Sequence, residues 1–64
     1  MRLLNAEGLR EKGIDFSDVH RWRLIKAGKF PAPLKIGAAR NAWVESEIDA
    51  WIEQKIAERD SEAA

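Results

Sequence analysis

Apolar positions along this chain recur at helical spacing, then alternate, then recur at helical spacing again. The stretch LLNAEGLREKG, residues 3–13, predicts a short first helix with Asn5 as its N-cap and Leu9 facing inward. Gly13 supplies the left-handed residue that ends it, and Ile14 follows as an apolar seal. Gly8 within this helix costs about 1 kcal/mol relative to alanine, so the element is weak on its own. SDVHRWRLIKAG, residues 17–28, predicts the second helix, with Ser17 as N-cap, Asp18 at the positive end of the dipole and Gly28 at the stop. Val19, Trp22, Leu24 and Ile25 form its expected apolar stripe, with His20, Arg23 and Lys26 off it. Only GIDF, residues 13–16, separates the two helices, which describes a helix-turn-helix.

The period then changes. In FPAPLKIGAARNAWVE, residues 30–45, Leu34, Ile36, Ala42 and Val44 alternate around the turn residues GAARN. This predicts a small β-hairpin with Trp43 on its return strand, expected to anchor the hairpin against the core. Pro31 and Pro33 fix φ and remove backbone donors, so the chain leaves the second helix extended. SEIDAWIEQKIAER, residues 46–59, predicts a third helix with Ser46 and Asp49 as a weakened capping box. Ile48, Trp51, Ile52 and Ile56 give it one apolar stripe, and its other face is acidic and solvated. The expected architecture is mainly α with a small β-hairpin, in the order α-α-β-β-α. One domain is expected over residues 1–60, with a short polar tail at 61–64.

Composition narrows the chemistry. Sixty-four residues make a single domain whose margin of stability is a few kcal/mol at about 60% burial of the unfolded surface. There is no cysteine, so neither a disulfide nor a thiolate metal site supplements the core. The single histidine, His20, lacks the nucleophile and orienting partner of a catalytic base and the companions of a zinc site. The expectation is therefore no enzyme, no catalytic residue, no metal and no cofactor. No apolar run approaches the roughly 18 residues of a membrane span, and the first residues lack a secretory pattern, so a cytoplasmic protein is expected.

Net charge is zero, but its distribution is not even. Residues 19–44 carry Arg21, Arg23, Lys26, Lys29, Lys35 and Arg40 with no acid. Residues 45–64 hold two bases, Lys55 and Arg59, against seven acids. A cationic block over a helix-turn-helix and hairpin points to nucleic acid.

The ordered set RLIKAGKFP, the P-x-K-x-G entry to the hairpin, the tryptophan before the last helix, and ESEIDAWI resembles the AlpA family of phage and prophage regulators. The resemblance covers residues 3–56 and implies a winged helix-turn-helix of the wider MerR and excisionase-like group. It implies a sequence-specific double-stranded DNA-binding protein, either a transcriptional regulator or an excisionase-like directionality factor. In that family the second helix reads the major groove and the hairpin is the wing. The turn GIDFSD is longer than the family's short form, and position 21 usually carries an aliphatic residue. Either Arg21 lays its stem along the core, or Val19 takes that packing position.

The candidate DNA-binding residues are Ser17, His20, Arg21 and Arg23 on the second helix, Lys26 and Lys29 at its end, and Lys35, Arg40 and Asn41 on the wing. Arginine can pair bidentately with guanine, and lysine suits phosphate. Arg40 at the hairpin tip is placed for the minor groove or a phosphate, whereas Asn41 also serves turn geometry. The tryptophans are expected in the core, which argues against base stacking on single strands. A homo-oligomer or a cooperative array on DNA, and a recombinase or transcription partner, are possible companions. A competing reading is a protein-interaction module or antirepressor that uses the acidic face of the C-terminal helix.

Overall fold

The computed structural model describes residues 2–38 and 40–63; Ala39 of the expected turn and Ala64 of the expected tail lie outside the described residues. The elements are β1 (Leu3–Leu4), α1 (Ala6–Glu11), α2 (Asp18–Lys26), β2 (Leu34–Lys35), β3 (Asn41–Val44) and α3 (Glu45–Ala63). The strands form an antiparallel sheet in the order β1-β3-β2. Three helices and a small hairpin make a winged-helix-like domain, as the sequence predicts.

Asn5 caps α1, its side chain accepting the Gly8 N–H at 2.9 Å. That cap explains the first departure from expectation. Leu3 and Leu4 precede it, so they form β1 rather than helix. Leu4 pairs opposite Trp43, Leu3 opposite Val44, and the Glu45 N–H donates to the Arg2 carbonyl at 2.8 Å. Gly8 has a reason to be glycine here, because a Cβ would lie 3.1 Å from the Leu4 side chain. At the other end of α1, the Ile14 N–H reaches the Leu9 carbonyl and the Gly13 N–H the Arg10 carbonyl, a Schellman closure with Gly13 at φ +93°.

Strand β3 runs straight into α3, so Ser46 stands inside the helix instead of capping it. Helix α3 also continues to Ala63 through the residues expected as a tail, since no glycine or proline stops it. Ile48 is fully buried, Trp51 and Ile52 are half-buried, and every residue from Glu53 to Glu62 is exposed, Ile56 included. Lys12 joins the end of α1 to the start of α3 by pairing with Asp49 at 2.8 Å and Glu45 at 3.3 Å. Its ammonium is raised above the ordinary 10.5, chiefly by the hydrogen bond to Asp49. This pairing therefore supports the fold below the ordinary lysine value and is lost as pH rises through the raised one.

Helix α2 is turned relative to the expected stripe. Leu24 and Ile25 pack on the core as expected, but the third inward position is Arg21, 8% exposed, while Val19 and Trp22 are 63% and 42% exposed. Two stripes at helical spacing overlap in this helix: Val19, Trp22, Lys26 and Arg21, Leu24, Ile25. Each holds two apolar residues and one cation, and the second faces the core. Arg21 makes this tolerable by placing its guanidinium 5.2 Å from the Trp43 ring centroid and pairing with Asp18.

The core consists of Leu4, Leu9, Ile14, Phe30, Trp43 and Ile48, with Phe16, Leu24, Ile25, Trp51 and Ile52 packed around it. Phe30 lies edge-on to Phe16, Trp43 and Trp51 at centroid distances of 6.2, 6.3 and 5.0 Å. Among the described residues, no helix is long and apolar enough to cross a membrane, and no group of three or more histidines or acids is placed to hold a metal ion. Trp43→Ala is expected to lower unfolding free energy by about 3–5 kcal/mol, most of what so small a domain has. Urea denaturation followed by circular dichroism checks this; a midpoint close to wild type would refute the anchor role.

Candidate nucleic-acid interface

Helix α2 begins where Ser17 accepts the His20 N–H at 3.2 Å and ends in a second Schellman closure. There the Gly28 N–H donates to the Ile25 carbonyl and the Lys29 N–H to the Leu24 carbonyl, with Gly28 at φ +73°. The next three residues are held from both sides. The Trp51 indole N–H donates to the Lys29 carbonyl at 2.7 Å, and the Trp43 indole N–H to the Pro31 carbonyl at 2.9 Å. Between them Phe30 is buried. The segment KFP thus fixes how the hairpin leaves α2.

The nine candidate residues fall into distinct places. Arg23 and Lys26 are exposed and share a shallow depression on the outside of α2 with Val19 and Trp22. Lys35 and Asn41 are cross-strand partners, and the Ile36 N–H donates to the Arg40 carbonyl at 3.1 Å, so Lys35, Arg40 and Asn41 belong to one hairpin. Lys29 is exposed and borders the groove between its own loop and α3, beside Trp51 and Lys55. The Ser17 hydroxyl is engaged in the cap. His20 is exposed on the flank of α2, its ring 4.9 Å from Phe16. Arg21 stands apart from all of these. It points inward, the first of the two placements considered for it, and not outward with the helix-face candidates.

The electrostatics separate these cations from the rest. Arg2, Arg10, Lys12, Arg21, Lys55 and Arg59 each have a carboxylate within 4 Å. Arg23, Lys26, Lys29, Lys35 and Arg40 have no such partner among the described residues, although acids and bases are equal at eleven each. Asp18, the acid nearest Arg23 and Lys26 in sequence, is taken up by Arg21. What remains on α2 and the hairpin is uncompensated positive charge. Sequence reasoning missed that Val19 and Trp22 belong to this outer surface. The available signal was the i, i+3, i+4 spacing of Arg21, Leu24 and Ile25, with Trp43 as a ring for the arginine to cover.

Comparison with known proteins agrees with the fold. Residues 7–56 match the family described as prophage CP4-57 regulatory protein (AlpA). Uncharacterized protein ORF88 of Enterobacteria phage P4 is 40% identical over 38 residues, which is 59% of this chain and 43% of that protein. The chain thus aligns with less than half the length of this curated relative. No solved structure matches.

Because no atom lies within 4 Å of a Cβ built on Gly28, alanine there meets only backbone strain. Gly28→Ala is expected to cost about 1–2 kcal/mol, and Gly28→Asn less, because asparagine visits the left-handed region more readily. Denaturation midpoints of the two variants check the order.

Proposed function

The chain belongs to the AlpA family of prophage regulatory proteins, and on that premise we propose that it acts by binding double-stranded DNA sequence-specifically. In this reading α2 enters the major groove and the β2–β3 hairpin is the wing. The observation that carries it is the set of five cations without acidic partners among the described residues, all on or beside these two elements, while every other lysine and arginine has one. Unpaired surface cations are those that can neutralise phosphates and release counterions without first breaking an ion pair.

Arg23, on the outer face of α2, is the candidate for bidentate contact with guanine. Lys26, Lys29, Lys35 and Arg40 hold phosphates, and Ser17, His20 and Asn41 supply polar contacts at the edges. Arg21 acts indirectly, by fixing the rotation of α2 through Trp43 and Asp18. The same binding serves a transcriptional regulator or an excisionase-like factor. One module has a small footprint, so a cooperative array or a partner protein raises the affinity.

A second reading is favoured by one observation, that α3 is exposed on all sides from Glu53 to Glu62 and carries four acids against two bases there. This half of the helix offers a docking surface for a partner protein or a second copy. Glu53→Lys with Glu58→Lys separates the two readings: intact DNA affinity with lost activity in cells would favour docking.

The direct test is gel shift and footprinting on DNA flanking the chain's own gene, across a salt series. If four phosphates are neutralised per protomer, log K falls against log salt with a slope near −3.6. Lys29→Ala is expected to weaken specific and non-specific binding alike and to make the slope shallower by about one unit. Arg23→Ala is expected to erode preference for the cognate site by about 1–3 kcal/mol. Absence of any preferred sequence would contradict the reading, as would a salt slope that Lys29→Ala leaves unchanged.

A further inference from the structure

Val19 and Trp22 pose a problem that phosphate binding does not solve. They are 63% and 42% exposed, on a domain that is short of core-forming residues and buries an arginine in the same helix. A tryptophan facing water gives up burial that the fold could have used. The two side chains stand one turn apart on the outer face of α2, in one shallow depression with Arg23 and Lys26. Neither of those cations has an acidic partner among the described residues, and Asp18 at the edge is engaged by Arg21. A surface apolar at its centre and cationic at its margin fits a partner with apolar points set among anions. The major groove of DNA is such a partner, because thymine presents a C5-methyl group between two rows of phosphates.

Resting on the DNA-binding reading above, we infer that Val19 and Trp22 are specificity-determining residues that contact thymine methyl groups in the major groove. Along the helix axis they are about 4.5 Å apart, close to the roughly 3.4 Å spacing of successive bases on a strand. The two side chains therefore address neighbouring base pairs. Arg23, one residue beyond, is left for the hydrogen-bonding edge of an adjacent guanine. Recognition by α2 is then partly apolar: methyl contact sets the preference for thymine, and the flanking cations supply affinity without sequence information.

The test uses a duplex selected from a random pool by the full chain, with its thymines replaced one at a time by deoxyuridine. That change removes the methyl group and leaves every hydrogen-bonding edge intact. Wild type is expected to lose about fourfold in affinity at one or two positions, the transfer value of one methyl-sized group. Trp22→Ala or Val19→Ala is expected to bind more weakly and to have lost the discrimination at one of those positions. Neither side chain belongs to the buried core, so the variants are expected to stay folded, which circular dichroism verifies. Equal affinity of wild type for thymine and uracil duplexes at every position would overturn the inference while leaving DNA binding intact. Discrimination retained in both folded variants would overturn it too, by placing the methyl contact elsewhere. Failure to select any duplex would overturn both this inference and the DNA-binding reading.

Discussion

The burial of Phe30 between two tryptophans is the contact on which the arrangement of this domain depends. The ring meets Trp43 from the sheet, Trp51 from α3 and Phe16 from the loop before α2. The carbonyls on either side of it, of Lys29 and Pro31, accept the two indole N–H groups. Each hydrogen bond satisfies a polar group that would be costly to leave unpaired at the edge of the core. Together they hold a three-residue connection that has no regular secondary structure of its own. Gly28 delivers the chain to this clamp, and Pro31 and Pro33 carry it away extended into β2. The positions of α2 and the hairpin relative to each other follow from that one joint.

A second constraint is the allocation of charge. A neutral chain with eleven acids and eleven bases could pair its charges throughout, and most of them do pair. Arg21 takes Asp18, Lys12 takes Asp49 and Glu45, and Arg2 shares Glu45. The exposed pairs among these, those of Lys12 and Arg2, contribute little to stability. Their importance here is that they take up acids with cations other than Arg23, Lys26 and those of the hairpin. The inward turn of Arg21 does two things at once. It covers Trp43, and it pairs with Asp18, the acid at the edge of the outer face of α2.

Much of this fold was legible from local chemistry. Asn5 and Ser17 as caps, Gly13 and Gly28 as left-handed stops, and the change of period after Pro33 each depend on a few neighbouring residues. What was not legible depended on distant partners. Nothing in LLN signals that Leu4 will sit opposite Trp43 some forty residues later, so β1 read as helix. The rotation of α2 was hidden for a similar reason, because an arginine faces inward only when a ring and an acid receive it. Ser46 read as a cap because the backbone bond from Glu45 to Arg2, which lets the helix begin earlier, is also non-local. For the candidate site, the cationic residues were legible as a block of sequence. The company that Arg23 and Lys26 keep with Val19 and Trp22 was not, since it follows from the same rotation.

The central claim, that the outer face of α2 and the hairpin form the DNA-facing surface, is tested most directly by following backbone amide resonances as a cognate duplex is titrated in. Shifts concentrated at Val19, Trp22, Arg23 and Lys26 and between Lys35 and Asn41, with Glu53 to Glu62 unmoved, are the expected result. Shifts confined to the exposed half of α3, with α2 and the hairpin unmoved, would contradict it.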